Sequence, residues 1–280
     1  MLFRSAPPTA QCGIFLLRQV NIVMEYQLLI KIILQLGSML MQSGAEIHRA
    51  EESMHRLFAA YHLQSAEVFV IPNCIIISAE LFDGSTLTKM RRIEAHGTDI
   101  TFLEQCNALC RTLCDETPPV KEAWKKLLYL NKKHRTYPIY LIILAYGISP
   151  AFFALLFGGQ PADSLCAFFC GTLIGLILQH GNRFFSSNRF VPTFLCSAAA
   201  SFFALLLVRV IRDTSSDIII ISALMMLVPG TAITNAMREI MAGDTISSIS
   251  HIADAILCAV AIALGTAISL SVMRFFVFGS

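Results

Sequence analysis

The sequence predicts a polytopic α-helical membrane protein of about five transmembrane helices, preceded by a small α+β cytoplasmic domain. Three observations predict it. Hydrophobic residues make up 55% of the 280 and charged residues only 14%, about half the charged share of an ordinary soluble domain. The charge is unevenly spread: 28 of the 40 Asp, Glu, Lys and Arg residues lie in residues 1–135, and no lysine follows Lys133. The remaining half resolves into five apolar stretches near the length of roughly 20 residues that crosses a bilayer. A net charge of +2 without a basic stripe excludes a nucleic-acid-binding surface.

The expected spans are Tyr137 to Phe157, Ala162 to Gln179, Phe190 to Ile211, Ile218 to about Ala236, and about Ile252 to Phe275. Turn residues separate them, among them Gly158-Gly159-Gln160-Pro161 and Gly243-Asp244. Their faces lack the polar stripes of a soluble bundle. Nine Lys and Arg residues flank the spans on the side of the N-terminal half: Lys121, Lys125, Lys126, Lys132, Lys133, Arg135, Arg183, Arg189 and Arg238. Three flank the other side: Arg209, Arg212 and Arg274. This bias orients the N-terminus to the cytoplasm in the plasma (inner) membrane. Small residues mark packed faces within the protein or with a partner: Gly171-x-x-x-Gly175, Gly265, and the ladder Ala255, Ala259, Ala263 and Ala267.

The fourth span carries the sharpest local feature, Leu227-Val228-Pro229-Gly230-Thr231-Ala232-Ile233-Thr234-Asn235-Ala236-Met237-Arg238. Pro229 cannot donate to the carbonyl of Met225, so the helix is expected to kink or break. Beyond the break, Thr231, Thr234, Asn235 and Arg238 recur at i, i+3, i+4 and i+7, which places them on one face. A discontinuous helix with freed backbone groups is a way of building a substrate site in a membrane. The alternative is a proline kink satisfied by its neighbours, with Arg238 as an interfacial anchor. Asp244, Ser247, His251 and Asp254 line a face leading into the fifth span. Asp254 is a candidate for carrying a proton or pairing with Arg238. Asp244 reads either as part of that route or as the cap of the last helix after Gly243.

In the N-terminal half, residues 1–23 are read as an extension. Its apolar run is broken by Arg18 and lacks a cleavage site, and Met24 is an alternative natural start. Residues 24–135 form the cytoplasmic domain and 136–280 the transmembrane domain. Leu29, Ile33, Leu36, Leu40, Ile47, Ala50, Met54 and Leu57 follow helical steps. Ser43-Gly44-Ala45-Glu46 interrupts them, and serine followed three residues later by glutamate predicts a capping box. Strands are expected over Glu67–Ile71, Cys74–Leu81 and Leu87–Ile93, with Asp83-Gly84 as a hairpin turn. Helices are expected from about Asp99 to Cys114 and from Val120 to Lys133. Cys106, Cys110 and Cys114 share a helix face in a spacing that fits no zinc pattern, so buried reduced thiols and no metal site are expected. His48 and Glu52 also share a face, read as a solvated or salt-bridged one. No G-x-S-x-G, Walker A or G-x-G-x-x-G occurs, so no cofactor is expected. An alternative function is a membrane-anchored enzyme acting through Glu46, His48 and Glu51.

Taken together, Ser43-Gly44-Ala45-Glu46 with Arg49 and Glu51, then Val68-Phe69-Val70-Ile71-Pro72, then Leu227-Val228-Pro229-Gly230 with Asn235, Arg238, Gly243 and Asp244, resemble the threonine/serine exporter family. Order and spacing agree over roughly residues 24–278. The acidic residue that follows the arginine of the fourth-span motif in that family is matched by Glu239. The resemblance implies proton-coupled export of small amino acids or organic acids, including dicarboxylates such as succinate. With about five spans, the chain resembles the larger half of the split form. This implies a second, smaller membrane subunit and an oligomeric assembly in the lipid bilayer. The remaining alternative is a regulatory or assembly subunit whose partner holds the pore.

Overall fold

In the computed structural model, contacts divide the chain into two units, residues 1–134 and 135–280. The described residues are 8–63, 65–81, 84–93, 97–133, 137–181, 190–211 and 213–278, with side chains described from residue 24 to residue 275. Arg135, Arg183, Arg189 and Arg212, which entered the charge bias, lie outside them.

The first unit is built around helix α1 (Pro8–Gln42), which runs continuously through Met24. Its stretch from Leu29 to Met41 is buried on nearly every side. Helices α2 (Ile47–Ala60), α3 (Ile100–Glu116) and α4 (Val120–Lys133) and a three-stranded sheet supply its neighbours. The eight residues placed at helical steps, from Leu29 to Leu57, are all buried. The sheet is an antiparallel meander of β1 (Ala66–Ile71), β2 (Cys74–Glu80) and β3 (Thr86–Arg92), in the order β1-β2-β3. Strand alternation sends Ile75, Ile77 and Ala79 inward, while on the other face Ser78 and Thr88 share a hydroxyl hydrogen bond of 2.9 Å. The Asp83-Gly84 turn falls only partly within the described residues; Gly84 donates to the Leu81 carbonyl.

Cys106 and Cys110 are buried on α3 against the first unit's core. Burial pushes both thiols up to about 12, and the Cys110 thiol donates to the Ser53 carbonyl. They are packing groups held far from the thiolate form.

In the second unit, α5 (Ile139–Leu156), α6 (Pro161–Gly181), α7 (Phe190–Val210) and α10 (Thr245–Phe278) are each long and apolar enough to cross a bilayer. The fourth expected span is broken into two shorter helices, α8 (Ser216–Leu224) and α9 (Gly230–Ala242). Small side chains let these helices approach: Cys166, Cys170, Cys196, Ala200, Ala204 and Ala223 all lie in the buried centre. Gly171 and Gly175 face α5 as expected, Gly171 lying directly against the Tyr146 carbonyl that Pro150 deprives of its helical donor.

The alanine ladder of α10 behaves differently. Ala255 is buried, but Ala259, Ala263 and Ala267 are exposed. The packed stripe is Ala261, Gly265, Ser269 and Met273. At Gly265 a Cβ would collide with Ser197 Oγ and lie 2.6 Å from the Phe194 carbonyl, so α7 and α10 touch backbone to backbone. Ser197 and Ser269 donate to carbonyls of the facing helix, Ala261 and Ala198, at 3.3 and 2.7 Å.

Asp163 holds the start of this bundle together. It is buried, and its carboxylate accepts from the Gln160 N–H at 2.9 Å and the Ser215 N–H at 2.7 Å. One side chain thus caps α6 and anchors the approach to α8. Asp163→Ala leaves two donors unpaired, and a loss of about 2–3 kcal/mol is expected, measured as earlier thermal unfolding in detergent, with Asp163→Asn losing less. In the first unit, Cys106 and Cys110 are expected to alkylate at pH 8 about a thousandfold more slowly than an ordinary thiol, which mass spectrometry before and after denaturation reads directly.

Candidate functional site

The Ser43–Glu46 turn joins α1 to α2 through a different cap from the one the spacing predicts. Ser43 is buried and its hydroxyl donates to the Met39 carbonyl at 2.6 Å, closing the end of α1. Gly44 adopts φ +93°, and the amides of Gly44 and Ala45 donate back to Met41 and Leu40. This is a helix C-terminal motif, which favours glycine at the left-handed position. The N-cap of α2 is Glu46, and no side chain caps that helix end. The capping box is therefore corrected: Ser43 lies in the last turn of the preceding helix, too early to reach the amides of the next.

The turn is also tied to the segment entering α3, where Gly97 donates to the Gln42 carbonyl and Asp99 to the Ser43 carbonyl. Glu46 lies 3.5 Å from His48 and 3.7 Å from the exposed Arg49. With Gly44 and Ala45, Glu46 and Arg49 border a cavity of about 90 Å³. Glu51 accepts from the Val70 amide at 2.9 Å, fastening α2 to the edge strand β1. A larger groove of about 490 Å³ between α2 and α3 is lined by both signs of charge, including Arg49, Glu52, Arg56 and Arg111. Glu52 pairs there with Arg56 at 2.6 Å. Among the described residues no group of three His, Cys, Asp or Glu converges to hold a metal.

In the second unit the proline break has a definite geometry. Helix α8 stops at Leu224 and α9 begins at Gly230. Pro229, the N-cap of α9, takes φ −80° and ψ 59°, and the Gly230 amide donates to the Val228 carbonyl at 2.9 Å. This is the tight three-residue inverse γ-turn. The Leu227 carbonyl accepts from the Cys258 thiol at 3.3 Å, which pins the break to α10.

Beyond the break, Thr231, Thr234, Asn235 and Arg238 lie on one face of α9. Thr231, Thr234 and Arg238 are exposed and Asn235 half-buried. The Thr234 hydroxyl donates to the Gly230 carbonyl at 2.9 Å. Ile233, Met237, Ile240 and Met241 form a second, exposed apolar face. The third face, with Ala236 and Glu239, is buried, and α10 is the main element packed on α9. Gly243 (φ +86°) ends α9. Asp244 is half-buried and accepts from the Ser247 amide at 3.3 Å, as a cap of α10. Asp254 is exposed on α10.

Glu239 is the residue whose environment the sequence did not reveal. It is 4% exposed, and among the described residues no hydrogen bond reaches either carboxylate oxygen. His251 Nε2 lies 3.4 Å from Oε1. The Ser247 hydroxyl is also buried without a hydrogen-bond partner. An ionised carboxylate buried in this way costs several kcal/mol unless it is paired. The available signal was periodicity: Ala232, Ala236 and Glu239 share a face on which an acid is out of place.

A family model described as "Putative threonine/serine exporter" matches residues 31–273. A protein of Klebsiella aerogenes named "Probable succinate transporter subunit YjjP" is 24% identical over 251 residues, covering 88% of this chain and 95% of its own. The protein of the same name from Escherichia coli K12 is 24% identical over 242 residues, covering 86% and 93%. No solved structure matches the chain.

The Glu51 tie has a measurable consequence. Glu51→Ala leaves the Val70 amide unpaired and is expected to cost the first unit about 1–3 kcal/mol. The loss is followed by the fluorescence of Trp124, the sole tryptophan. Ser43→Ala, which removes a bond within one helix end, is expected to cost less.

Proposed function

The chain belongs to the threonine/serine exporter family, and on that premise we propose that it exports small carboxylate-bearing solutes as one subunit of a proton-coupled secondary transporter. Family membership makes it a membrane exporter subunit and sets aside the reading of its first unit as an enzyme. Two solute classes are in view: threonine and serine, from the family's description, and a dicarboxylate such as succinate, from the names of the two relatives. Those relatives are named as subunits, and the chain spans nearly their whole length. This supports a second, smaller membrane partner and an oligomeric assembly. The charge bias supports the inner membrane with the N-terminus cytoplasmic.

The observation that carries the proposal is the polar face of α9. Thr231, Thr234 and Arg238 stand exposed on a helix flanked by apolar spans. An arginine facing hydrocarbon costs about 3 kcal/mol at mid-span on insertion scales and less near the interface; this reading puts the face against a wet crevice or a partner's polar surface. The Pro229-Gly230 turn frees backbone groups at its head, as discontinuous transporter helices do around substrates. In this proposal Thr231, Thr234 and Asn235 hydrogen-bond the solute, while the Arg238 guanidinium steers its carboxylate. Asp244 sets the turn that returns the chain into α10. Coupling requires an acid that is charged and neutral in turn; Asp254 is the exposed candidate on α10, and Glu239 is the buried one beside the stripe.

Efflux of labelled serine, threonine and succinate from cells making the chain with its partner tests the assignment. Asn235→Ala and Arg238→Ala are expected to lower efflux at least tenfold with unchanged membrane insertion. Normal efflux from either variant removes the site assignment. Equal efflux by the partner alone would make this chain a regulatory or assembly subunit.

A further inference from the structure

Helix α9 is bounded at both ends by non-helical turns, Pro229 before it and Gly243 after it, and packs chiefly on α10. The contact between them would ordinarily be sealed by apolar or small side chains, yet it encloses Glu239, His251 and Ser247. Both Glu239 oxygens and the Ser247 hydroxyl are buried without hydrogen-bond partners among the described residues. The charged and titratable groups around Glu239 are His251 at 3.4 Å, Asp244 on the α9–α10 turn, Asp254 one turn beyond His251, and Arg238 beside it on α9. Asp244 is half-buried and Asp254 exposed. Arg238 is exposed on the neighbouring face.

We propose that Glu239, paired with His251 across the α9–α10 contact, is the proton-binding site of the transport cycle. The inference rests on the exporter reading and names the group that would couple it to a proton gradient. With the contact closed, the pair holds one proton. Glu239 is then a neutral acid beside a neutral imidazole, and the pair carries no net charge. Releasing that proton to water leaves one uncompensated negative charge in a dry interface. That state is relieved when α9 shifts and water or the Arg238 guanidinium reaches the carboxylate. Asn235 precedes Glu239 by one turn on the adjoining side of α9, so a shift that hydrates the acid also moves the polar stripe. The proton that enters is taken from water on one side of the membrane, and the same proton leaves to water on the other.

The experiment uses inside-out vesicles from cells making the complete transporter, supplied with labelled succinate, serine and threonine. Two fluxes are compared: accumulation driven by an imposed proton gradient, and counterflow exchange, which needs no net proton movement. Glu239→Gln, neutral and nearly isosteric, is expected to lose gradient-driven accumulation at least tenfold while keeping counterflow. His251→Gln leaves the acid without its facing imidazole and is expected to lower accumulation more than counterflow. Retained accumulation in E239Q, or loss of counterflow in correctly folded E239Q, overturns the proposal.

A second measurement is independent of transport. The infrared band of a protonated carboxyl in the detergent-solubilised protein should disappear on raising the pH, and should be missing from E239Q. Identical spectra from the two proteins overturn the proposal. Wild-type vesicles that move none of the three solutes refute the exporter reading alone, and the infrared titration still decides whether Glu239 binds the proton.

Discussion

A missing backbone donor at Pro229 is the constraint on which the second unit depends. Hydrocarbon offers no replacement for a lost hydrogen bond, so a proline in mid-span must be answered from within the protein. Here the γ-turn at Val228–Gly230 answers part of the loss, and the Cys258 thiol on the Leu227 carbonyl answers another part. Because neither answer rebuilds the helical ladder across the break, the chain opens into two helices instead of bending one. The second helix is then free to present its own three faces.

The same scarcity of water explains the polar groups elsewhere in that unit. Asp163 serves two helix starts with one carboxylate, and Ser197 and Ser269 donate to carbonyls of the facing helix where α7 and α10 come closest. These groups are fully used. Glu239 and Ser247 are buried with unused capacity, and that contrast separates them from the structural polar residues around them.

Much of this was legible in the sequence because the relevant signals are local. Strand alternation placed Ile75 and Ile77 inward, helical steps found the core from Leu29 to Leu57, and one proline marked the broken span. Where several local signals competed, sequence alone misread the outcome. Ser43 and Glu46 have the spacing of a capping box, but Gly44 with its positive φ ends α1 first and takes the serine with it. On α10 the contact within the chain runs through Gly265, against Ser197 and Phe194, and leaves Ala259, Ala263 and Ala267 outside it. Glu239 was harder to read: periodicity puts it on a face with Ala232 and Ala236, but its burial depends on α10 returning across that face.

The placement of the two chemistries on α9 has a thermodynamic consequence. A helix of thirteen residues held mainly by one neighbour and unlinked from the helical ladder at both ends belongs to the part of a structure that moves at least cost. The solute face and the acid lie on adjoining sides of that element. If hydrating one side displaces the other, the free energy of solute binding and that of proton release are coupled, and the coupling is reciprocal by linkage. A carboxylate exposed on α10, as Asp254 is, has water to meet its charge and disturbs the contact with α9 less when that charge changes. A carboxylate enclosed between α9 and α10 cannot change charge without altering the contact that encloses it, which makes burial itself the source of coupling.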